Sequence, residues 1–203
     1  RRRLRGIYTD ADMLKEATSQ AFTIAQKDLA TADDLLALTR LYEIQGRYGE
    51  VARLYPRLGT HPEATPSLRL DIAGRLAALG DWEESQRLIS GLKESDIARS
   101  AETLDIEILA DRGLLSDADA KLRDALGRYP NHPDLLAAQA LIFLERGDFA
   151  AADDALLAAL KEDSKHRDAL GRRLEVLRHR REVDAGAKTV ASLLDHHNSD
   201  AIA

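Results

Sequence analysis

The chain has 203 residues, no cysteine and a formal net charge of -6, with 44% hydrophobic and 32% charged residues. This apolar content is too high for intrinsic disorder, and the absence of cysteine excludes disulfide frameworks, thiolate metal sites and cysteine nucleophiles. The acidic balance argues against a dedicated nucleic-acid binder, and no apolar run approaches the roughly 20 residues that a membrane-spanning helix needs.

A basic run opens the chain, and the apolar segment of a signal peptide does not follow it. We interpret this run as a helix end within a longer protein, with a polybasic membrane tether as the alternative. Residues 10–27 then place apolar side chains on one helical face. This pattern predicts the second helix of a partial leading repeat, which spans residues 1–31.

Four glycines recur at intervals of 34, 33 and 34 residues, at Gly46, Gly80, Gly113 and Gly147. Around each glycine, apolar or small residues occupy the same six offsets, from seven residues before it to twelve after it. The offsets on each side differ by three or four, so they share one face of a helix. The glycine is predicted to end the first helix in a left-handed conformation. The spacing therefore predicts helix–turn–helix repeats.

A large apolar residue stands two positions after each glycine and is expected to pack in the core; these residues are Tyr48, Trp82, Leu115 and Phe149. Together with the period, the pattern resembles the tetratricopeptide repeat (TPR). Its fullest copy runs from Leu136 to Phe149 and continues through Ala152, Leu156 and Ala159. The resemblance implies an all-α fold, a right-handed superhelical solenoid of helix–turn–helix pairs.

The repeat register divides the whole chain. Clear repeats are predicted at residues 32–65, 66–98, 99–132 and 133–164, between the partial leading repeat at 1–31 and a degenerate repeat at 165–203. In the degenerate copy, Arg181 stands where the glycine is expected. No low-complexity linker interrupts the series, so we predict a single solenoid fragment, 1–203.

Residues that often carry chemistry fit structural roles here. His61, His132 and His166 fall in the turns between repeats, where we expect hydrated rings. Paired carboxylates are expected near helix N-termini, where they favour the helix dipole; these are Asp33-Asp34, Glu83-Glu84 and Asp153-Asp154. No phosphate-binding loop, nucleophile elbow or metalloprotease motif occurs. We predict a protein that is not an enzyme and has no cofactor or metal.

In the TPR family the first helix of each repeat lines a concave binding face. Carried over position by position, the resemblance implies a partner-binding set consisting of Arg40, Glu43, Leu70, Glu107, Asp111, Leu141, Glu145 and Glu175, with Arg172 on the same face. The family's clamp for a C-terminal carboxylate is not expected, because Arg40 is the one matching cation in the clear repeats. We expect a shallow, partly apolar groove with an acidic middle at Glu107, Asp111 and Glu145.

Three interpretations of that face stay open: a solvated surface, a groove for a peptide with an apolar anchor flanked by basic groups, and a multivalent contact for a cationic polymer. The chain also resembles periplasmic TPR scaffolds of bacterial exopolysaccharide secretion systems. That resemblance implies recruitment of a polysaccharide-modifying enzyme or, alternatively, direct guidance of a charged polysaccharide during export. We predict a protein-binding scaffold without nucleic acid or direct membrane insertion, and we favour the bacterial periplasm.

Overall fold

The computed structural model describes residues 13–27, 29–92, 97–182 and 184–191, and these residues form helices and turns without a strand. Residues 184–191 are helical. Within the described residues, ten helices precede them: α1 (Leu14–Ala25), α2 (Ala32–Ile44), α3 (Tyr48–Gly59), α4 (Pro66–Ala78), α5 (Trp82–Ser90), α6 (Ala98–Asp111), α7 (Leu115–Arg128), α8 (Pro133–Glu145), α9 (Phe149–Glu162) and α10 (Arg167–Arg180). The all-α class expected from the sequence is confirmed.

The chain forms two compact units, the first ending at Ala101 and the second beginning at Glu102. In the first unit, α1 packs on α2, α2 on α3, α3 on α4 and α4 on α5. In the second unit, α7 packs on α8, α8 on α9, and α10 on both α8 and α9. This packing of successive helices is typical of helical repeats. The division into numbered repeats of a single solenoid stays a prediction, and parts of the first and last copies lie outside the described residues.

The four regularly spaced glycines have the backbone that the sequence predicts. Their φ angles are 68° at Gly46, 80° at Gly80, 72° at Gly113 and 74° at Gly147, and each glycine follows the end of a helix. Arg181, at the corresponding position after α10, also adopts a left-handed conformation, with φ 60°. Because a Cβ atom crowds the backbone there, this conformation costs a non-glycine residue about 1–2 kcal/mol. The last turn thus keeps the geometry of the repeat at some cost in stability.

Side-chain caps begin several of the helices. Asp81 accepts a hydrogen bond from the Glu84 amide at the start of α5, and Asp148 caps α9 in the same way. Thr31 and Asp34 form a reciprocal capping box at the start of α2. These caps satisfy amide groups that have no partner within the helix.

Asp153 does not have the helix-start role expected for it. It is buried within α9, where its carboxylate accepts hydrogen bonds from Arg173 Nε at 2.9 Å and Arg180 Nη1 at 3.2 Å, both on α10. Its partners lie 20 and 27 residues away, so only tertiary packing brings them together. The carboxylate joins α9 to α10 instead of favouring a helix dipole.

Two histidines between repeats are structural ties, so the expectation of simple hydration is wrong for them. His61 Nδ1 accepts from the Glu63 amide, which leaves Nε2–H to donate to the Ala30 carbonyl at 3.0 Å. His166 Nδ1 accepts from the Ala169 amide as the cap of α10, and Nε2–H donates to Asp134 at 2.7 Å. These partners lie 31 and 32 residues back, so each ring spans about one repeat.

The residue two positions after each repeat glycine is not uniformly a core residue. Trp82, Leu115 and Phe149 are half-buried, but Tyr48 is 64% exposed, so its expected core position is wrong. Phe149 stacks on the ring of His179 at a centroid distance of 4.7 Å, and α10 thereby covers it. Tyr48 has no such ring stacked on it in the described part of the chain. Coverage by a following helix, more than residue type, decides burial at this position.

Candidate functional site

Three of the residues proposed for partner binding lie in the first unit, on α2 and α4. Glu43 is already engaged: it accepts from Arg75 Nη1 at 3.0 Å and from the Tyr55 hydroxyl at 3.2 Å. Arg40 is exposed and Leu70 is half-buried. The acidic group predicted on the first helices of this unit, Glu43, is therefore neutralised by Arg75 of the same unit.

The other five residues lie in the second unit, on the first helices α6, α8 and α10. Arg172 on α10 joins all three helices. Its Nη2 donates to Glu107 Oε1 on α6 at 2.6 Å, and its Nη1 donates to the Ala137 carbonyl on α8 at 2.9 Å. A guanidinium can make both contacts because its donors form a rigid planar fork. Arg172 thus brings the three helices into one surface.

This surface, which we call the acidic face, consists of Glu107, Asp111, Leu141, Glu145, Arg172 and Glu175. Arg172 balances the charge of Glu107, so Glu107 adds less to the predicted acidic middle than its sequence position implies. Asp111, Glu145 and Glu175 are exposed, and none of them forms an ion pair within the described residues. These three carboxylates therefore provide the negative charge of the face.

The pKa of Asp111 is raised by its surroundings. Removal of water by the surrounding protein raises the pKa of its carboxyl group, and the nearby charge of Arg172 opposes that rise without cancelling it. The protein itself therefore disfavours the charged form of Asp111. A further cation near this carboxyl group would stabilise its charged form.

Leu141 supplies the apolar part of the face. It is half-buried and packs against the core cluster that includes Ile106, Ala138 and Ile142. The supporting residues are almost fully buried, so the side chain is held by a close-packed layer. The face therefore combines a fixed apolar side chain with three acidic groups on neighbouring helices.

The sequence places Arg172 on this face but gives no sign of its pairing with Glu107, 65 residues away. It gives no sign either of an open cleft of about 340 Å³ in the first unit, lined by Lys15, Thr18, Ser19, Phe22, Tyr42, Gln45 and Arg47. Both features depend on which helices are neighbours in space. In the described segments, no three histidine or acidic side chains are grouped so as to hold a metal ion, and no helix is long and apolar enough to cross a membrane.

Comparison with known proteins identifies the fold. The model of the coatomer epsilon subunit family matches residues 106–202, just under half of the chain. No protein of curated function matches the sequence.

Several solved structures align over most of the chain. YrrB, a TPR protein with an unusual peptide-binding site, is 14% identical over 85% of this chain and 89% of its own, with a TM-score of 0.55. PilW, a type IV pilus biogenesis factor, is 14% identical over 97% of this chain and 92% of its own, with a TM-score of 0.56. PilF of Pseudomonas aeruginosa is 12% identical over 99% and 95%, with a TM-score of 0.52. At these identities the similarity shows the fold alone: the chain has the helical-repeat fold of TPR proteins.

Proposed function

We propose that the chain is a non-catalytic scaffold whose acidic face binds a partner protein. The observation that carries the proposal is the pairing of Arg172 with α6 and α8, because it fixes three first helices while Asp111, Glu145 and Glu175 form no ion pair within the described residues. A surface ordered before binding loses little conformational entropy when a partner docks. The partner segment therefore meets a prepared site.

The chemistry of the face selects an apolar anchor flanked by basic residues. The anchor would pack on Leu141, and lysine or arginine side chains would approach the three carboxylates. Each exposed ion pair contributes about 0.2–1 kcal/mol, so several together supply useful affinity and a strong dependence on salt. The description of YrrB as a TPR protein with a peptide-binding site supports a peptide ligand for this fold.

The finer setting comes from the sequence resemblance alone. From that resemblance we propose a role in exopolysaccharide export in the bacterial periplasm, with a polysaccharide-modifying enzyme as the partner. The alternative is direct guidance of a charged polysaccharide. Unpaired carboxylates attract a cationic polymer and repel a polyanionic one, so the acidic face favours this alternative for a cationic polysaccharide only.

The test measures fluorescence anisotropy with a dye-labelled basic peptide, Lys-Arg-Leu-Leu-Arg-Lys, at low and moderate salt. The variant Asp111→Asn, Glu145→Gln, Glu175→Gln should bind at least tenfold more weakly and show a smaller salt dependence. The matched control, Glu83→Gln, Asp124→Asn, Glu162→Gln, removes three exposed carboxylates elsewhere and should stay within twofold of the unaltered chain. Equal losses in both variants would show non-specific attraction and overturn the proposal.

The partner itself can be sought by crosslinking from a bacterial envelope extract, with Glu107→Arg, Leu141→Arg as the control bait. A protein captured by the unaltered chain and lost in this variant supports the scaffold. Chitosan, a cationic polysaccharide, serves as the probe for the alternative. Salt-sensitive binding of chitosan through the acidic face, without a captured protein, would replace the scaffold by polymer guidance.

A further inference from the structure

A second surface in the first unit has the chemistry of a docking site for a different ligand. It is the open cleft of about 340 Å³ formed by α1, the last residues of α2 and the turn before α3. None of its lining residues belongs to the acidic face. The volume lies in the range of ligand-binding clefts, which are commonly about 300–1,000 Å³.

The charged groups that line this cleft are cations. Lys15 forms no ion pair within the described residues, and Arg47 pairs with Glu50 at 2.7 Å on the protein surface. The Arg47 guanidinium also lies over the ring of Tyr42, 4.5 Å from its centroid. Among the described residues, no carboxylate lines the cleft, although the chain as a whole carries a net charge of -6. Lys15 is thus the cleft cation whose charge no described residue balances, and its charge favours an anionic ligand.

Exposed apolar side chains are frequent in the stretch of chain that forms the cleft. Phe22, which lines the cleft, is 47% exposed, and Ile44 and Tyr48, beside the turn, are 62% and 64% exposed. Of the ten large hydrophobic side chains exposed in the described part of the chain, five lie between residues 13 and 48. Such a concentration of exposed aromatic and aliphatic groups is typical of interaction surfaces.

The polar side of the cleft is fixed by internal hydrogen bonds. Gln45 Nε2 donates to Thr18 Oγ1 at 2.5 Å and approaches the Leu14 carbonyl at 3.4 Å, while the Thr18 hydroxyl donates to the same carbonyl at 2.6 Å. The side-chain amide nitrogen of Gln45 thus donates its hydrogen bonds within the protein. Its side-chain oxygen accepts no hydrogen bond from a described residue and stays available to a backbone N–H of a ligand.

We propose that this cleft binds a short extended segment of a partner protein in which an aromatic or leucine side chain stands next to a carboxylate. The carboxylate pairs with Lys15 and Arg47, the apolar side chain packs on Phe22, and a peptide N–H donates to the Gln45 oxygen. An acidic side chain and a C-terminal carboxylate offer the same chemistry. The charge requirement is opposite to that of the acidic face, so the two surfaces take different peptides.

The probes are three dye-labelled hexapeptides. The first is Asp-Glu-Phe-Asp-Leu-Phe with a free C terminus, the second is the same peptide amidated, and the third is Asn-Gln-Phe-Asn-Leu-Phe with a free C terminus. Fluorescence anisotropy with the full chain at low salt should show saturable binding of the first. Binding lost on amidation assigns the terminal carboxylate, and binding lost in the third assigns the acidic side chains; each result supports the site.

Matched variants locate the binding. Lys15→Glu should weaken it at least tenfold, and Phe22→Ala about fivefold. Lys161→Glu and Leu79→Ala change an exposed lysine and an exposed leucine elsewhere, and both should stay within twofold. Circular dichroism and urea midpoints check that each variant folds. Folding is expected because the Lys15 and Phe22 side chains are both exposed. Binding of the basic peptide to the acidic face should survive Lys15→Glu, so the two proposals fail separately.

Several outcomes would overturn the proposal. Lack of binding by all three probes at 1 mM would do so, as would binding that Lys15→Glu leaves unchanged. A concentration-dependent dimer in sedimentation, abolished by Phe22→Ala, would make a second copy of the chain the occupant. If removal of residues 1–12 were needed before any probe bound, the chain's own N-terminal segment would be the occupant.

Discussion

The two compact units share one kind of helical repeat but expose different chemistry. In the first unit, Arg75 and Tyr55 occupy the Glu43 carboxylate, while Lys15 and the aromatic ring of Phe22 stay open in a cleft. In the second unit, Phe149 is covered by His179, and Asp111, Glu145 and Glu175 of the acidic face form no ion pair within the described residues. The cleft therefore offers a cation and an aromatic ring, and the acidic face offers carboxylates around a leucine.

This contrast shows that the repeat determines where side chains stand but not which of them are available. Glu43 and Glu107 both lie on first helices, and both lose their free charge to an arginine from a later helix. Asp111, one turn beyond Glu107, forms no ion pair within the described part of the chain. Ion pairing between repeats thus selects the ligand-accessible groups from a larger set of candidates.

The largest expected effect on stability concerns the aromatic residue two positions after the repeat glycine. Phe149→Ala should lower the free energy of unfolding by about 3 kcal/mol, because the ring packs against the core and stacks on His179. Tyr48→Ala, at the same repeat position in the first unit, should cost less than about 1 kcal/mol because the ring is exposed. Urea unfolding followed by circular dichroism measures both. Equal losses in the free energy of unfolding for the two variants would contradict the difference in burial between the two rings.

The second effect compares the arginines that neutralise Glu43 and Glu107. Arg172→Ala should destabilise the protein by about 2 kcal/mol, since it leaves a half-buried carboxylate and the Ala137 carbonyl without their partner. Arg75→Ala removes a largely exposed cation and should cost less than about 1 kcal/mol. Urea midpoints in low and high salt check both values. A larger loss for Arg75→Ala would contradict the assigned role of Arg172.

A smaller, stabilising effect is expected at the degenerate turn. Arg181→Gly should raise the free energy of unfolding by roughly 0.5–1 kcal/mol, because glycine adopts a positive φ without crowding by a Cβ atom. The control Arg178→Gly lies within α10 and should destabilise by about 1 kcal/mol. Thermal unfolding of both variants measures these changes in stability. Destabilisation by Arg181→Gly would show that the side chain matters more than the turn geometry.

The smallest effect tests the electrostatic strain at Asp111. Because its pKa is raised in the folded state, ionisation disfavours folding, and this loss appears as the pH rises through the folded pKa. Asp111→Asn should therefore stabilise the chain at pH 7, by less than about 0.5 kcal/mol after solvent screening. The gain should vanish below the unfolded pKa, where both forms are neutral. Urea titrations at pH 3 and pH 7 measure it, and a gain confined to pH 3 would contradict this sign.

Local patterns in the sequence predict much of this protein. The periodic glycines predict the positive-φ turns, and the helical periodicity predicts the all-α fold. These features involve residues a few positions apart, so helix geometry relates them directly. The candidate face could also be placed, because repeat position assigns residues to first helices.

Tertiary structure decided what the side chains on those helices do. Asp153 looked like a helix-start carboxylate but binds two arginines, and His61 and His166 looked hydrated but join neighbouring repeats. The capture of Glu107 by Arg172 and the cleft beside Phe22 likewise had no local signal. Long side chains reach partners about one repeat away or farther, and burial depends on whether another helix covers a position. Neither distance in space nor coverage can be read from a periodic pattern.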